Sequence, residues 1–167
     1  MNRHLRALAV IAPVFVLDRL TKVYIRENVS PLDTIPVIPG VFNIVHAENP
    51  GAAFSILADA PQTIRRAILI AASSVVMIAV AFLLFRSKPN PDETKVTPIA
   101  LALVLGGALG NLWDRIAVGT VTDFLQVFLG SYEYPSFNVA DSAVFIGACL
   151  LILDLWRGKK SAGALGA

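Results

Sequence analysis

The sequence predicts an all-α membrane protein, in which four transmembrane helices carry a small extracytoplasmic β-rich portion within a single domain, 1–167. Three observations lead there. Apolar residues fill 56% of the 167 positions, and the mean hydropathy of +0.68 is well above that of an ordinary soluble domain. Four apolar runs, at about 7–26, 66–85, 97–118 and 139–156, are each long enough to cross a hydrocarbon core of about 30 Å. Basic residues gather before the first run, between the second and third, and after the fourth, a bias that marks cytoplasmic segments.

The first run opens like a secretory signal peptide, with Arg3 and Arg6 ahead of Ala7 to Leu17. No small-residue cleavage site follows, and the helical pattern continues through Asp18-Arg19-Leu20-Thr21-Lys22 to about Ile25. The second run holds no ionisable residue between Arg66 and Phe85. Arg86, Lys88 and Lys95, then Arg157, Lys159 and Lys160, put both termini and the central connection on the cytoplasmic side. Arg26, Arg65 and Arg66 fall on the other side, accompanied by Glu27, Asp33, Glu48 and Asp59. Loops 27–63 and 119–138 then face outward, and the second carries Tyr132, Tyr134 and Phe137 to the depth of an aromatic belt. In the first loop Pro39-Gly40 makes a turn, Val41 to Val45 reads as a short strand, and Asn49-Pro50-Gly51 makes another turn. Residues 52–57 are apolar enough to rest on the membrane surface, and 87–94 reads as a solvated linker. A net charge of +2 with no basic block interleaved with aromatics gives a nucleic-acid partner no support. Cys149, the one cysteine, lies inside the fourth run and reads as core packing.

An ionised side chain at mid-bilayer costs about 2.5–3.5 kcal/mol even on a lenient insertion scale. Asp18, Lys22, Asp114 and Arg115 must therefore pair or meet water. Asp18 precedes Lys22 by four positions, and Asn111 precedes Asp114 by three and Arg115 by four, so each group shares one helix face. At a rise of about 1.5 Å per residue from the cytoplasmic ends, Asp18, Asn111 and Asp141 stand about 17, 21 and 22 Å up their helices. They form one polar layer beneath the outer surface. Interhelical bonding alone is the competing reading, although Gly106 and Gly110, a GxxxG pair, suit that task better.

Val121-Thr122-Asp123-Phe124 and Phe137-Asn138-Val139-Ala140-Asp141-Ser142 bring two further carboxylates to that rim, one in a loop and one at a helix start. Asn138 followed three residues later by Asp141 is also a capping box, so capping alone accounts for Asp141. Asp123 has no such role among Val121, Phe124, Leu125, Val127 and Phe128. Only His4 and His46 are histidines, and neither HExxH nor GxSxG occurs. Two carboxylates, one protonated and one ionised, hydrolyse an amide without metal or cofactor. Asp141, near a helix N-terminus, is the better-placed base. A competing reading makes Asp18, Lys22, Asp114 and Arg115 an ion-transport relay, but the inner halves of the spans offer it almost no ionisable partner.

Five blocks in order resemble those of the bacterial lipoprotein signal peptidases, signal peptidase II. They are Asp18 to Lys22, Asn49-Pro50-Gly51-Ala52-Ala53-Phe54, Gly106 to Arg115, Gly119 to Phe124, and Phe137 to Ser142. Pro50 stands where many members have threonine. The resemblance implies an aspartyl endopeptidase of the bacterial cytoplasmic membrane that removes signal peptides from prolipoproteins, cutting before a diacylglyceryl-modified cysteine. It makes Asp123 and Asp141 the catalytic pair. Asn111, Arg115 and Asn138 would support site and substrate, with Asp18, Lys22, Asn49 and Gly51 shaping the site; Asp114 joins them from the polar layer. The expected partners are lipidated prolipoproteins and membrane lipid, with the site near the extracytoplasmic face and no metal or cofactor.

Overall fold

The computed structural model describes residues 3–51, 61–86 and 96–164, which form four helices and a four-stranded antiparallel sheet. The helices are α1 (Arg3–Asn28), α2 (Gln62–Phe85), α3 (Val96–Ala117) and α4 (Val139–Ala164). The strands are β1 (Thr34–Ile38), β2 (Phe42–Asn49), β3 (Val121–Leu129) and β4 (Tyr132–Phe137), paired in the order β1-β2-β3-β4. Among the described residues three helices, α2, α3 and α4 as far as Arg157, are both long and apolar enough to cross a membrane. The fourth, α1, has the length, 26 residues, but carries Arg6 in its first turn and Asp18, Arg19 and Lys22 in its second half.

The central helix is α3, which packs against α1, α2 and α4. Its glycines permit this: a Cβ at Gly107 would strike the Ala140 carbonyl oxygen, and one at Gly110 would strike the Asp18 carboxylate and Ala140. Three backbones thus approach closely where the polar groups lie. The buried stripe of α1, Ala7, Ile11, Asp18, Lys22 and Ile25, changes character along its length. Its lower part joins Leu84, Leu101, Ala102 and Leu105 in an apolar core, and its upper part turns two charges inward. On α2, Val75, Ile78 and Phe82 stay exposed, which is what a lipid-facing surface requires.

Arginines tie the helix ends. Arg3 donates to the Leu83 carbonyl of α2 at 3.5 Å, and Arg66 to the Ile116 carbonyl of α3 at 2.6 Å. Each cation lies at a helix C-terminus, where the dipole favours it. Arg66, a charge on the unexpected side of the topology bias, therefore has a local task.

The sheet is larger than the sequence predicts. The Pro39-Gly40 turn is present, but the strand after it runs on through Asn49, with an irregularity between Ile44 and Ala47. The segment 119–138 is not a loop: β3 and β4 form a hairpin, and β3 also pairs with β2. Val121 to Phe124 are buried on both faces of β3, so the alternation that announces a half-buried strand is lost. Asp123 accordingly stands on a strand. The surface segment expected at 52–57, the linker expected at 87–94, and the charges Lys88 and Lys95 lie outside the described residues.

Candidate active site

The site is built where the inner end of β3 meets the first turn of α4. Asn138 precedes α4 and exchanges hydrogen bonds with Asp141: the Asp141 amide donates to Asn138 Oδ1 at 2.9 Å, and the Asn138 amide to Asp141 Oδ2 at 3.3 Å. This is a reciprocal cap of the helix start. The cap leaves Asn138 Nδ2 free to reach across to β3, where it donates to Asp123 Oδ1 at 2.7 Å. One asparagine therefore touches both carboxylates.

The remaining oxygens are held from other elements. Asn49, at the end of β2, donates to Asp123 Oδ2 at 2.9 Å. Its own side-chain oxygen accepts the Gly51 amide at 2.8 Å, which fixes the orientation of the amide group. Gly51 has φ 91° and its α-carbon faces the Leu69 side chain, so a side chain there is excluded by backbone and by space. Asn111 of α3 donates to Asp141 Oδ1 at 2.7 Å. Each carboxylate thus receives two amide donors and, with about four acceptor sites, keeps capacity for water.

Behind this pair lies a buried ion cluster. Lys22 is fully buried and lies 2.9 Å from Asp18, from Asp114 and from Asn111 Oδ1. Asp18 also accepts the Ala140 amide at 3.0 Å, so it helps anchor the start of α4. Arg115 donates to the Asn111 carbonyl at 3.3 Å, and the charges of Asp141 and Asp123 both act on it. All ten residues singled out in the sequence are brought to one region by these contacts.

Several members of the network were not singled out. Arg19 and Arg26 both pair with Asp114, Arg26 at 2.8 Å. Arg26 also donates to Thr122 at 2.7 Å, and Thr122 donates to Glu48 at 2.9 Å. Glu48 further accepts from Thr120 and lies 3.0 Å from His46. Burial opposes ionisation of Glu48, yet the bonds from Thr120, His46 and Thr122 and the Arg26 charge outweigh it and hold its carboxyl below the ordinary value. The signal for Arg26 is the spacing 18, 22, 26, which repeats one helix face.

Asp123 is 3% exposed. Burial above all, with the negative charge of Asp141, pushes its carboxyl up to about 6, against the hydrogen bonds from Asn49 and Asn138 and the charge of Lys22. Beside Asp141 opens an apolar groove of about 550 Å³, walled by Val127, Leu129, Tyr134 and Phe137 of the sheet and Phe145 and Ile146 of α4. Among the described residues no group of three or more His, Cys, Asp and Glu side chains is arranged to hold a metal ion.

The family model described as signal peptidase (SPase) II matches residues 10–157. The chain belongs to the signal peptidase II family. It is thereby an aspartic endopeptidase integral to a membrane. Among similar signal peptidases, the lipoprotein signal peptidase of Solibacter usitatus is 45% identical over 94% of this chain and 94% of its own. That of Pseudomonas aeruginosa, strain UCBPP-PA14, is 46% identical over 90% and 88%. A solved bacterial membrane enzyme superposes with a TM-score of 0.79 at 29% identity, covering 93% of this chain and 90% of that one. The fold of this signal peptidase II member is thus shared with that membrane enzyme over nearly its full length.

Proposed function

We propose that the protein cleaves the signal peptide from prolipoproteins on the N-terminal side of a diacylglyceryl-modified cysteine, with Asp123 and Asp141 as the catalytic pair. The observation that carries this reading is the single asparagine, Asn138, bonded to both carboxylates. Asp141, at the positive end of α4 and facing the Asn111 and Asn138 amide donors, is the ionised base that takes a proton from water. Asp123, with its raised proton affinity, is the acid that protonates the scissile carbonyl oxygen. Water adds to the carbonyl carbon, and the tetrahedral intermediate collapses as a proton passes to the leaving amine. The two residues exchange roles in the collapse: Asp141 gives the amine the proton it took from water, and Asp123 recovers its own from the intermediate.

In this reading α1 is a fourth span, its charges turned onto α3 and away from lipid. Both termini are cytoplasmic, in the bacterial inner membrane, and the sheet covers the outer ends of the helices. The groove beside Asp141 takes apolar parts of the substrate, while acyl chains stay in lipid. Asn111, Arg115 and Asn138 position the substrate and the pair; Asp18, Lys22, Asp114, Asn49 and Gly51 hold the frame.

The test is incubation of the purified protein with a prolipoprotein bearing diacylglyceryl on its cysteine, and with the same chain unmodified, followed by mass spectrometry. Cleavage immediately before the modified cysteine, and much less of the unmodified chain, is expected. No cleavage of either, or a cut elsewhere, would contradict the reading.

A further inference from the structure

Asp141 is anchored to the helix bundle, through Asn111 of α3 and the cap of α4. Asp123 is carried by the sheet. The separation of the two carboxylates therefore depends on what fixes the sheet to the bundle. On the face that bears Asp123, the links are Asn49, itself part of the sheet, and Asn138. Successive side chains of a strand point to opposite faces, so Thr122 addresses the other side. There its hydroxyl, fully buried, accepts from Arg26 Nε at 2.7 Å and donates to Glu48 Oε1 at 2.9 Å. The same guanidinium donates through Nη2 to Asp114 at 2.8 Å. Asp114 meets Lys22, Lys22 meets Asn111, and Asn111 meets Asp141, at 2.9, 2.9 and 2.7 Å.

We infer, resting on the assignment of Asp123 and Asp141 as the catalytic pair, that Arg26 is a positioning residue. It clamps the strand carrying Asp123 to the ion cluster that carries Asp141, and so sets the distance between the two acids. The planar fork suits the task because two of its nitrogens serve two acceptors on different elements. A lysine keeps the charge but reaches one acceptor at a time.

Arg26→Gln, Arg26→Lys and Thr122→Val are compared with wild type for kcat and KM on a diacylglyceryl-modified prolipoprotein, per correctly folded molecule. A misplacement of about 1 Å costs about 10²-fold in rate, so kcat is expected to fall at least about tenfold in all three, with KM within about twofold. Arg26→Gln combined with Thr122→Val is expected to be no worse than either alone, because both cut one tether. Unchanged kcat in Arg26→Lys, or losses that multiply in the double variant, would overturn the inference.

The second readout needs no activity. The Asp123 carboxyl is titrated by carbon-13 NMR of aspartate-labelled protein, with Asp123→Asn providing the assignment. Removing a cation alone moves a carboxylate midpoint up. Loss of the clamp lets the strand part from Asp141 and admit water, which moves it down. In Arg26→Gln a fall of about one pH unit is expected; no change or a rise would overturn the inference. Should wild type fail to cleave, the functional reading fails while the titration still judges Arg26.

Discussion

Asn138 and Asp141 exchange hydrogen bonds across the first turn of α4, at 2.9 and 3.3 Å, while the Asn138 side-chain amide reaches Asp123 at 2.7 Å. Capping and catalysis, competing explanations of Asp141 in the sequence, are thus compatible in the proposed mechanism, because one asparagine bonds both carboxylates. The cap orients the one carboxylate and leaves a donor over for the other.

Asn138→Ala is expected to lose about 1 kcal/mol of stability through the cap, and far more activity, about 10²-fold or greater, because Asp123 loses a fixed donor and the first turn that orients Asp141 loses its side-chain cap. Thermal unfolding and cleavage rates on one preparation separate the two effects.

The pH profile follows from Asp123. Its carboxyl is raised to about 6, so it is protonated below that pH and ionised above. In the proposed mechanism the pair needs one proton, so kcat/KM is expected to fall on the alkaline side with a free-enzyme midpoint near 6. A flat profile between pH 5 and 8 would speak against Asp123 as the acid. Glu48 acts in the opposite direction: its lowered carboxyl contributes stability above the ordinary value of 4.5 that is lost as pH falls. Glu48→Gln should remove that part of the acid sensitivity of unfolding.

Lys22→Met leaves Asp18 and Asp114 buried together without their shared cation. A loss of about 3–5 kcal/mol is expected, measured by denaturation in detergent. Adding Asp114→Asn should recover part of it.

Gly107→Ala forces a methyl group against the Ala140 carbonyl and Val144. Because the obstacle is backbone, α4 must shift, at a cost of about 1–3 kcal/mol, and the Asn111 to Asp141 bond should lengthen. Activity should fall with stability, whereas alanine at Gly130, strained by its φ of 66° but facing open space at a turn, should cost some stability and leave activity per folded molecule unchanged.

The helices and the polar layer were legible because the helical period writes them into the chain: Asp18 and Lys22, then Asn111 and Arg115, are each four apart. The second hairpin was not, since the inner half of β3 is buried on both faces and reads as an unpatterned apolar run. Arg26 read as a flanking charge that blurred the topology bias. The Thr122 to Glu48 bond joins residues 74 apart and has no local signature.

The central claim is that Asp123 and Asp141 act as one pair on one water. Asp123→Asn and Asp141→Asn should each abolish cleavage of a diacylglyceryl-modified prolipoprotein, by about 10³-fold or more, while membrane insertion and folding persist. Wild-type processing by either variant would contradict the account.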